Sequence, residues 1–370
     1  MIRKSFLFML LFFVSTMASA REWSFDAKGL VGTYYGVSET KGKNKYPNRM
    51  VGRGDVTINA SYVFDNGHKL GLEASTAIII KEEDKDRSEG EYRFYPYIKD
   101  ISKYGEIYLG YAKSAANMLH KGAKDITFLG VDDSNITYFL SDSNWSNGYK
   151  KTYFATPKST SIMNDGRAPK LVYIASISDN LKFGFSYAPD NKNRRGMNSR
   201  YVDYEDVEDG YTFAMQKKWD LGENKLYTSL GYGLFNRTDK ELSVGVSLER
   251  EKFNIAAGYK KAYVDGDKNQ ISIVKVSDNL PAYFDNYRES QAWNISLGYK
   301  WEKYKTNLAY LMTDAENTRH QDSIILWTNV YELDNGFEVY GAGGYLRMHG
   351  TTLSDDDRGV AIISGIGLRF

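Results

Sequence analysis

The sequence predicts an all-β fold, a transmembrane barrel of sixteen antiparallel strands with short turns at one end and long loops at the other. Three observations predict it. Apolar and polar residues alternate along many segments, the connections between these segments alternate in length, and the chain begins with an export signal. The composition agrees, because 30 Tyr, 18 Phe and 33 Gly accompany only 6 Pro, and aromatic residues favour strands.

The first twenty residues predict a cleaved signal peptide. Its basic n-region, apolar h-region and small-residue cleavage site are Arg3-Lys4, Phe6–Val14 and Ala18-Ser19-Ala20. The alternative is a transmembrane anchor, which needs about 20 apolar residues, and this apolar core is shorter. We therefore expect cleavage after Ala20, with residues 21–370 forming the exported barrel domain.

Period-two alternation indicates strands rather than helices. In five segments every second residue is apolar and the residues between them are mostly small or polar: Leu70–Thr76, Leu181–Tyr187, Leu242–Leu248, Phe253–Tyr259 and Trp293–Trp301. Only a strand presents two such faces. The predicted strands have about 9–12 residues, which is enough to cross a bilayer at a tilt. Segments near Leu171 and Ile325 alternate poorly.

The connections between predicted strands fall into two groups. Seven are short turns: Asp65–Gly67, Ser102–Tyr104, Ser178–Asn180, Gly222–Asn224, Arg250–Lys252, Trp301–Lys303 and Asp334–Gly336. Most of the intervening connections are long and polar: Ser38–Asn48, Lys81–Gly90, Ala112–Ala168, Asp190–Asp209, Val264–Ser290, Thr313–Asp322 and His349–Arg358. One, Asn236–Asp239, is short. Long loops at one end are typical of a bacterial outer-membrane barrel, whereas a soluble β-sandwich has no reason to place them so.

Composition disfavours several classes of function. The chain carries 48 basic and 47 acidic residues, and nucleic acid binding requires clustered basic charge. It has no Cys, so neither disulfides nor a thiolate zinc site is expected. The four His lack ligand spacing, and no nucleophile elbow, phosphate loop or dinucleotide fingerprint occurs. We expect no nucleic acid partner, metal, cofactor or enzymatic activity.

Taken together, these features resemble the general porins of Gram-negative bacteria along the whole mature chain. The resemblance rests on the sixteen-strand rhythm, the first strand Trp23–Leu30, the segment Gly105–Gly110 with the loop that follows it, and the terminal Phe370. It implies an outer-membrane homotrimer that forms a water-filled channel for small hydrophilic solutes. It also implies that the third outer loop, residues 112–168, folds into the barrel and narrows it.

Strand parity predicts which basic side chains line the lumen. In the second strand Val56, Ile58, Ala60, Tyr62 and Phe64 share the lipid-facing parity. Arg49 and Arg53 have the opposite parity, as do Arg93 in the fourth strand and Lys81 at the end of the third. The resemblance implies a basic cluster on this wall, and Arg53 and Arg93 match it best. The alternative is that they are ordinary solvated charges, although a lipid-facing Arg would cost about 2–4 kcal/mol at the midplane.

Acidic side chains on the third loop are expected to face this basic wall. The candidates are Asp125, Asp132 and Asp133. Opposed charges across a constriction would set up a transverse field and select solutes by charge and size. Sequence cannot fix the loop geometry, so plain solvated carboxylates are an equal alternative.

Aromatic residues near strand ends predict girdles at the membrane interfaces. Trp23, Trp219, Trp293, Trp301 and Phe370 have the lipid-facing parity, and such girdles are expected of membrane barrels. Acidic runs in the outer loops are candidates to bridge calcium to lipopolysaccharide, or are simply solvated surface.

Three functions are compatible with this sequence. The first is a general diffusion pore. The second is a substrate-specific channel for sugars or peptides, which would need an aromatic track, and Tyr34, Tyr95, Tyr97 and Tyr108 have lumen parity. The third is a non-conducting adhesin or structural barrel.

Overall fold

The computed structural model describes most of the predicted strands and parts of the third loop. The described residues are 23–40, 48–65, 67–81, 89–99, 105–123, 126, 129–131, 139, 159–162, 168–190, 208–235, 239–263, 289–315, 321–348 and 357–370. No helix within these ranges is long and apolar enough to cross a membrane. The predicted signal peptide lies outside the described residues.

Sixteen strands close into one antiparallel barrel within the described ranges, and each pairs with its neighbours in sequence. The first eight strands are β1 Trp23–Thr40, β2 Asn48–Val63, β3 Lys69–Lys81, β4 Glu89–Lys99, β5 Glu106–Gly110, β6 Lys170–Ser178, β7 Leu181–Asp190 and β8 Glu208–Leu221. The others are β9 Asn224–Phe235, β10 Asp239–Arg250, β11 Phe253–Tyr263, β12 Glu289–Trp301, β13 Tyr304–Ala315, β14 Gln321–Glu332, β15 Phe337–Met348 and β16 Asp357–Arg369. The predicted sixteen-stranded fold is confirmed, including strands at Leu171 and Ile325.

The ends of the chain close the barrel. β1 pairs with β16 from Leu30–Arg369 to Thr40–Gly359. Beyond this ladder, the N–H of Gly29 donates to the carbonyl of Phe370 at 2.8 Å, and the N–H of Phe370 donates back at 3.1 Å. These two bonds satisfy backbone groups at the strand edge, which a membrane barrel cannot leave exposed to lipid.

Apolar side chains cover the outside of the barrel, as the alternation predicts. Large apolar residues on outward positions are exposed on every strand, for example Leu242, Ile295 and Leu308. The predicted interface aromatics are outward-facing too: Trp219, Trp293, Trp301 and Phe370 are exposed, and Trp23 packs on Tyr62 with ring centroids 5.4 Å apart. Such a surface suits lipid rather than water.

The inside of the barrel is not uniformly polar. Two clusters of buried apolar side chains lie on its inner wall, each combining strand residues with residues of the third loop. One cluster includes Val172 and Ile174 of β6, and the other includes Ile324 and Leu326 of β14. These strands alternate poorly in sequence because both of their faces are covered, one by lipid and the other by the loop.

Candidate pore constriction

The third loop enters the barrel through a short helix, α1 (Ala115–Leu119). Ser114 caps it, because its side-chain oxygen accepts the N–H of Asn117 at 3.2 Å. The small residues Ala115 and Ala116 are buried and allow a close approach to the wall. A Cβ atom on Gly184 of β7 would lie 2.8 Å from the Cβ of Ala115, so a larger residue at either position would push α1 off the strand.

After α1, the loop follows the inner wall through hydrogen bonds. The carbonyl of Leu119 accepts the side-chain amide of Gln216 at 2.9 Å. The N–H of Lys121 donates to Ser229 at 2.9 Å, and the N–H of Ala123 donates to Oδ1 of Asn294 at 3.2 Å. These three contacts attach the loop to the inner faces of β8, β9 and β12.

The middle of the loop packs on the strands that close the barrel, within its described residues. Leu129, Val131 and Phe139 are buried in one cluster with inward residues of β12–β16, β1 and β2. The ring of Phe139 reaches β1, where it leaves no room for a Cβ atom on Gly36. Burying several large apolar side chains favours this position by about 1.5–3 kcal/mol for each side chain, relative to an exposed loop.

A wall of charged side chains remains on β2–β4. The guanidinium of Arg53 forms an ion pair with Asp55 on the same face of β2. Arg93 of β4 is partly exposed, and its strand neighbour Ser75 of β3 has the same inward orientation. On β3, the carboxylate of Glu73 accepts the hydroxyl of Tyr95 at 2.5 Å. This wall therefore combines fixed positive and negative charges.

The structure describes the side chains of some predicted constriction residues but not of others. Arg53 and Arg93 lie on the inner face, as their parity predicts. Arg49 and Lys81 lie in β2 and β3, opposite Gly36 and Val51 of neighbouring strands, but their side chains are outside the described residues. Asp125, Asp132 and Asp133 are also outside the described residues, so the acidic side of the predicted constriction remains a prediction.

The tyrosines that could form a sugar track are inward-facing but covered. Tyr34 is 0% exposed and packs against Tyr340 with tilted rings, whose centroids are 5.3 Å apart. Tyr95, Tyr97 and Tyr108 form a second buried group, in which Tyr97 donates to Asn59 at 2.8 Å. An aromatic track must present its ring faces to the solute, and these rings present them to neighbouring side chains.

A buried charged cluster lies beside the loop on β10 and β11. Glu241 and Lys260 are each 3% exposed and their charged atoms are 3.7 Å apart. His120 of the loop lies nearby and contacts Thr160 at 3.0 Å. Burial, reinforced by the positive charges of Lys260 and Lys121, lowers the pKa of His120 to about 4. The imidazole is therefore neutral at pH 7.

Sequence reasoning missed two groups of inward residues. The buried Glu241–Lys260 pair gave no signal, because each residue resembles an ordinary polar position on an alternating strand. The lysines at the short-turn ends of the strands were visible as part of a Lys-containing polar face, but they became a group only once strand register placed them together. Among the described residues, no group of His, Asp and Glu could hold a metal ion.

This architecture defines the class of protein: a transmembrane barrel, apolar outside, with a loop packed inside it. The model of the Gram-negative porin family matches residues 7–351, so the chain belongs to that family. It is an outer-membrane porin, a channel for passive diffusion, and its short turns therefore face the periplasm.

Solved structures with the same fold are distant in sequence. The anion-selective porin from Comamonas acidovorans is 13% identical with a TM-score of 0.58, covering 94% of this chain and 100% of that one. A loop-deletion mutant of OmpT from Vibrio cholerae is 15% identical with a TM-score of 0.57, at 94% and 100% coverage. OmpF from Salmonella typhi, in complex with daunomycin, is 13% identical with a TM-score of 0.60, at 94% and 97% coverage. No curated protein sequence matches this chain.

Proposed function

We propose that this porin is a general diffusion pore in which solutes pass between the third loop and the inner wall of β2–β4. The observation that carries this proposal is the position of the loop. Its apolar face covers the inner wall of β12–β16 and β1, and charged side chains face inward on β2–β4. Water and polar solutes follow the polar wall, because crossing the apolar one would cost them hydrogen bonds.

Arg53 and Arg93 are proposed as the basic side of the constriction, together with Arg49 and Lys81. A guanidinium stays charged at all relevant pH values, so this wall would attract anions and slow cations. Asp55 holds Arg53 in place and balances part of its charge. The proposed counterparts on the loop are Asp125, Asp132 and Asp133, which would complete a field across the pore.

Burial of the tyrosines favours general diffusion over a sugar-specific channel. A specific channel binds its solute through exposed rings or directed hydrogen bonds. The four lumen-parity tyrosines are all buried. Three of them, Tyr95, Tyr97 and Tyr108, also donate their hydroxyl groups to protein acceptors.

Single-channel recordings in planar bilayers test the proposed basic wall. Under a KCl gradient, Arg53→Ala and Arg93→Ala should keep step-like conductance and shift the reversal potential toward that of a cation-preferring pore. Arg347→Ala is the matched control, because Arg347 is an exposed arginine on the outer face of β15. An unchanged reversal potential in both lumen variants would contradict the proposed basic wall. A well-folded barrel without conductance would contradict the proposed open pore.

We also propose that the protein is a homotrimer with its interface around β5. This strand has five residues, which span about 17 Å, less than the apolar band of about 25 Å that faces lipid. A neighbouring subunit would cover the gap. Leu109, the fourth residue of this strand, is 57% exposed. The outward Gly52 and Gly54 leave a flat surface on β2 for close packing.

Substitutions that introduce a charge on the outer surface test this proposed interface. Leu109→Arg should convert trimers to monomers on unheated electrophoresis, because it places an unpaired charge in a subunit contact. Leu308→Arg is the control, since Leu308 has the same outward orientation on β13, across the barrel. Equal loss of trimers in both variants would argue against an interface at β5.

The proposed maturation is cleavage after Ala20, which gives a chain that begins at Arg21. Mass spectrometry of protein purified from outer membranes tests it directly, and retention of residues 1–20 would overturn it.

We also propose that the protein has no catalytic activity and that its outer surface contacts membrane lipid and lipopolysaccharide.

A further inference from the structure

Two pairs of lysines face each other across strand contacts at the periplasmic mouth of the barrel. Lys69 begins β3 and lies directly opposite Lys99, which ends β4. Lys300 of β12 lies directly opposite Lys305 of β13. All four have inward parity. The ammonium group of Lys99 confirms this orientation, because it lies 4.5 Å from the ring centroid of the inward Tyr97.

The two pairs lie on opposite sides of the pore. The strand order places β3 and β4 roughly half a turn of the barrel away from β12 and β13. Each pair lies next to a short turn, so both are at the same level of the barrel, near the periplasm. A solute leaving or entering by this mouth passes between them.

Like charges directly opposite each other on a sheet are unfavourable. Glu332 and Glu338 also lie opposite each other at this rim, but each has a basic partner, Lys305 and Arg369 respectively. Lys225 lies opposite both Asp220 and Glu249. Arg369 binds Glu338 through hydrogen bonds of 2.6 and 3.1 Å. Lys69 and Lys300 differ from these residues, because each lies opposite another lysine and forms no ion pair within the described residues.

The inward-facing strand ends at this rim carry an excess of positive charge within the described residues. Its basic members are Lys28, Lys69, Lys99, Lys182, Lys218, Lys225, Lys300, Lys305 and Arg369. Its acidic members are Asp26, Glu106, Asp220, Glu249, Glu332 and Glu338. Ion pairs neutralise Lys218, Lys305 and Arg369, whereas Lys69 and Lys300 form no ion pair within the described part of the chain.

We propose that this rim is an anion-collecting vestibule, which gives the channel a preference for small anions such as inorganic phosphate and carboxylates. The proposal deepens the pore proposed above and rests on it. Clefts lined by one sign of charge raise the local concentration of counter-ions. Lysine suits this role, because a hydrated ammonium group on a flexible stem attracts anions without holding one rigidly.

Because the lysines lie at one mouth, their effect on the current can be distinguished from that of charges at the constriction. A charged ring at one end concentrates anions there and makes the current depend on the sign of the voltage. The effect depends strongly on salt, because the screening length is about 10 Å at 0.1 M and about 3 Å at 1 M. Charges at a narrow constriction, by contrast, lie close to every ion that passes and are screened less.

The test is recording from oriented single channels in KCl at low and high salt. The wild type should be anion-preferring and should rectify at about 0.1 M, and both effects should decline at about 1 M. A Lys69→Glu, Lys99→Glu, Lys300→Glu and Lys305→Glu quadruple variant should lower the anion-to-cation permeability ratio about twofold or more and reverse the rectification. Lys252→Glu, in a periplasmic turn outside the strands, is the control and should behave as wild type.

Each outcome separates this proposal from the pore proposal. Open channels that show neither anion preference nor rectification would overturn the vestibule and leave the pore intact. A quadruple variant that folds, conducts and keeps wild-type selectivity would also overturn it. If it does not fold, the two double variants, Lys69→Gln with Lys99→Gln and Lys300→Gln with Lys305→Gln, repeat the measurement, and each should lower the anion preference. Absence of any current from folded wild-type barrels would instead overturn the pore.

Discussion

The backbone N–H of Ala123 in the third loop donates a hydrogen bond to Oδ1 of Asn294, and 171 residues of chain separate the two. Asn294 is buried on the inner face of β12. Asn294→Ala would leave a buried N–H without its acceptor, which costs about 1–3 kcal/mol. We expect the loop to loosen, with noisier open-channel current and faster proteolysis between residues 112 and 168.

Asn254→Ala is the matched control for this prediction. Asn254 also lies on an inner face, but its amide donates to Ser247 of the neighbouring strand at 3.0 Å rather than to the loop. Equal proteolysis in both variants would mean that the bond from Ala123 does not hold the loop.

A second prediction concerns the contact between Gly36 and Phe139. Gly36→Val would place a branched side chain where the Phe139 ring now lies, and overpacking of this kind costs about 1–3 kcal/mol. The ring should be displaced, so single-channel conductance should change while the barrel stays folded. Gly343→Ala is the control, because a Cβ atom there meets nothing within 4 Å. Unchanged conductance in Gly36→Val would contradict a loop seated on β1.

The third prediction is a pH dependence that originates at His120. Its pKa is lowered from 6.5 to about 4 by burial, so the unfolded chain binds a proton in this range and the folded one does not. The contribution of the neutral His120 to the free energy of unfolding is therefore complete above about pH 6.5. It is lost as the pH falls toward 4, and its size is on the order of 3 kcal/mol. The Tm of His120→Gln should fall less between pH 7 and pH 4 than that of the wild type. The control His68→Gln, which changes a turn residue, should keep the wild-type slope.

The fourth prediction concerns barrel closure at the C-terminal residue. Removing Phe370 eliminates both hydrogen bonds to Gly29, so refolding in detergent should yield less of the compact, heat-modifiable form on electrophoresis. Phe370→Ala keeps the backbone bonds and removes only the ring, so its yield should lie between those of the deletion and the wild type. A deletion that refolds like the wild type would show that β1 and β16 close without this pair.

The outside of the barrel could be predicted from the sequence because lipid imposes a single rule. Every outward position must be apolar, so period-two alternation and turn residues located the strands. The inside obeys no such rule. Val172 and Ile174 of β6 and Ile324 of β14 are apolar on the inner face because the third loop covers them, and a sequence does not show which part of a wall a loop will cover.

In the candidate site, likewise, only the properties that follow from a single strand could be predicted. Parity placed Arg53 and Arg93 on the inner face, because orientation along a strand is local. It placed Tyr34 there too, but could not show that this ring is buried. The lysine pairs at the periplasmic mouth depend on register between strands, and register follows from turn lengths and pairing rather than from any one segment.

Accessibility of the inner wall tests the central claim most directly, and the natural absence of cysteine makes it feasible. Ser75→Cys places a thiol on the inner face of β3, beside Arg93 in the strand register, and Ser296→Cys places one on the inner face of β12, where Ser296 is buried. A water-soluble, cationic thiol reagent added during recording should reduce the current through Ser75→Cys and leave Ser296→Cys unchanged. Block of Ser296→Cys with no effect on Ser75→Cys would place the pore on the other side of the loop and contradict the account.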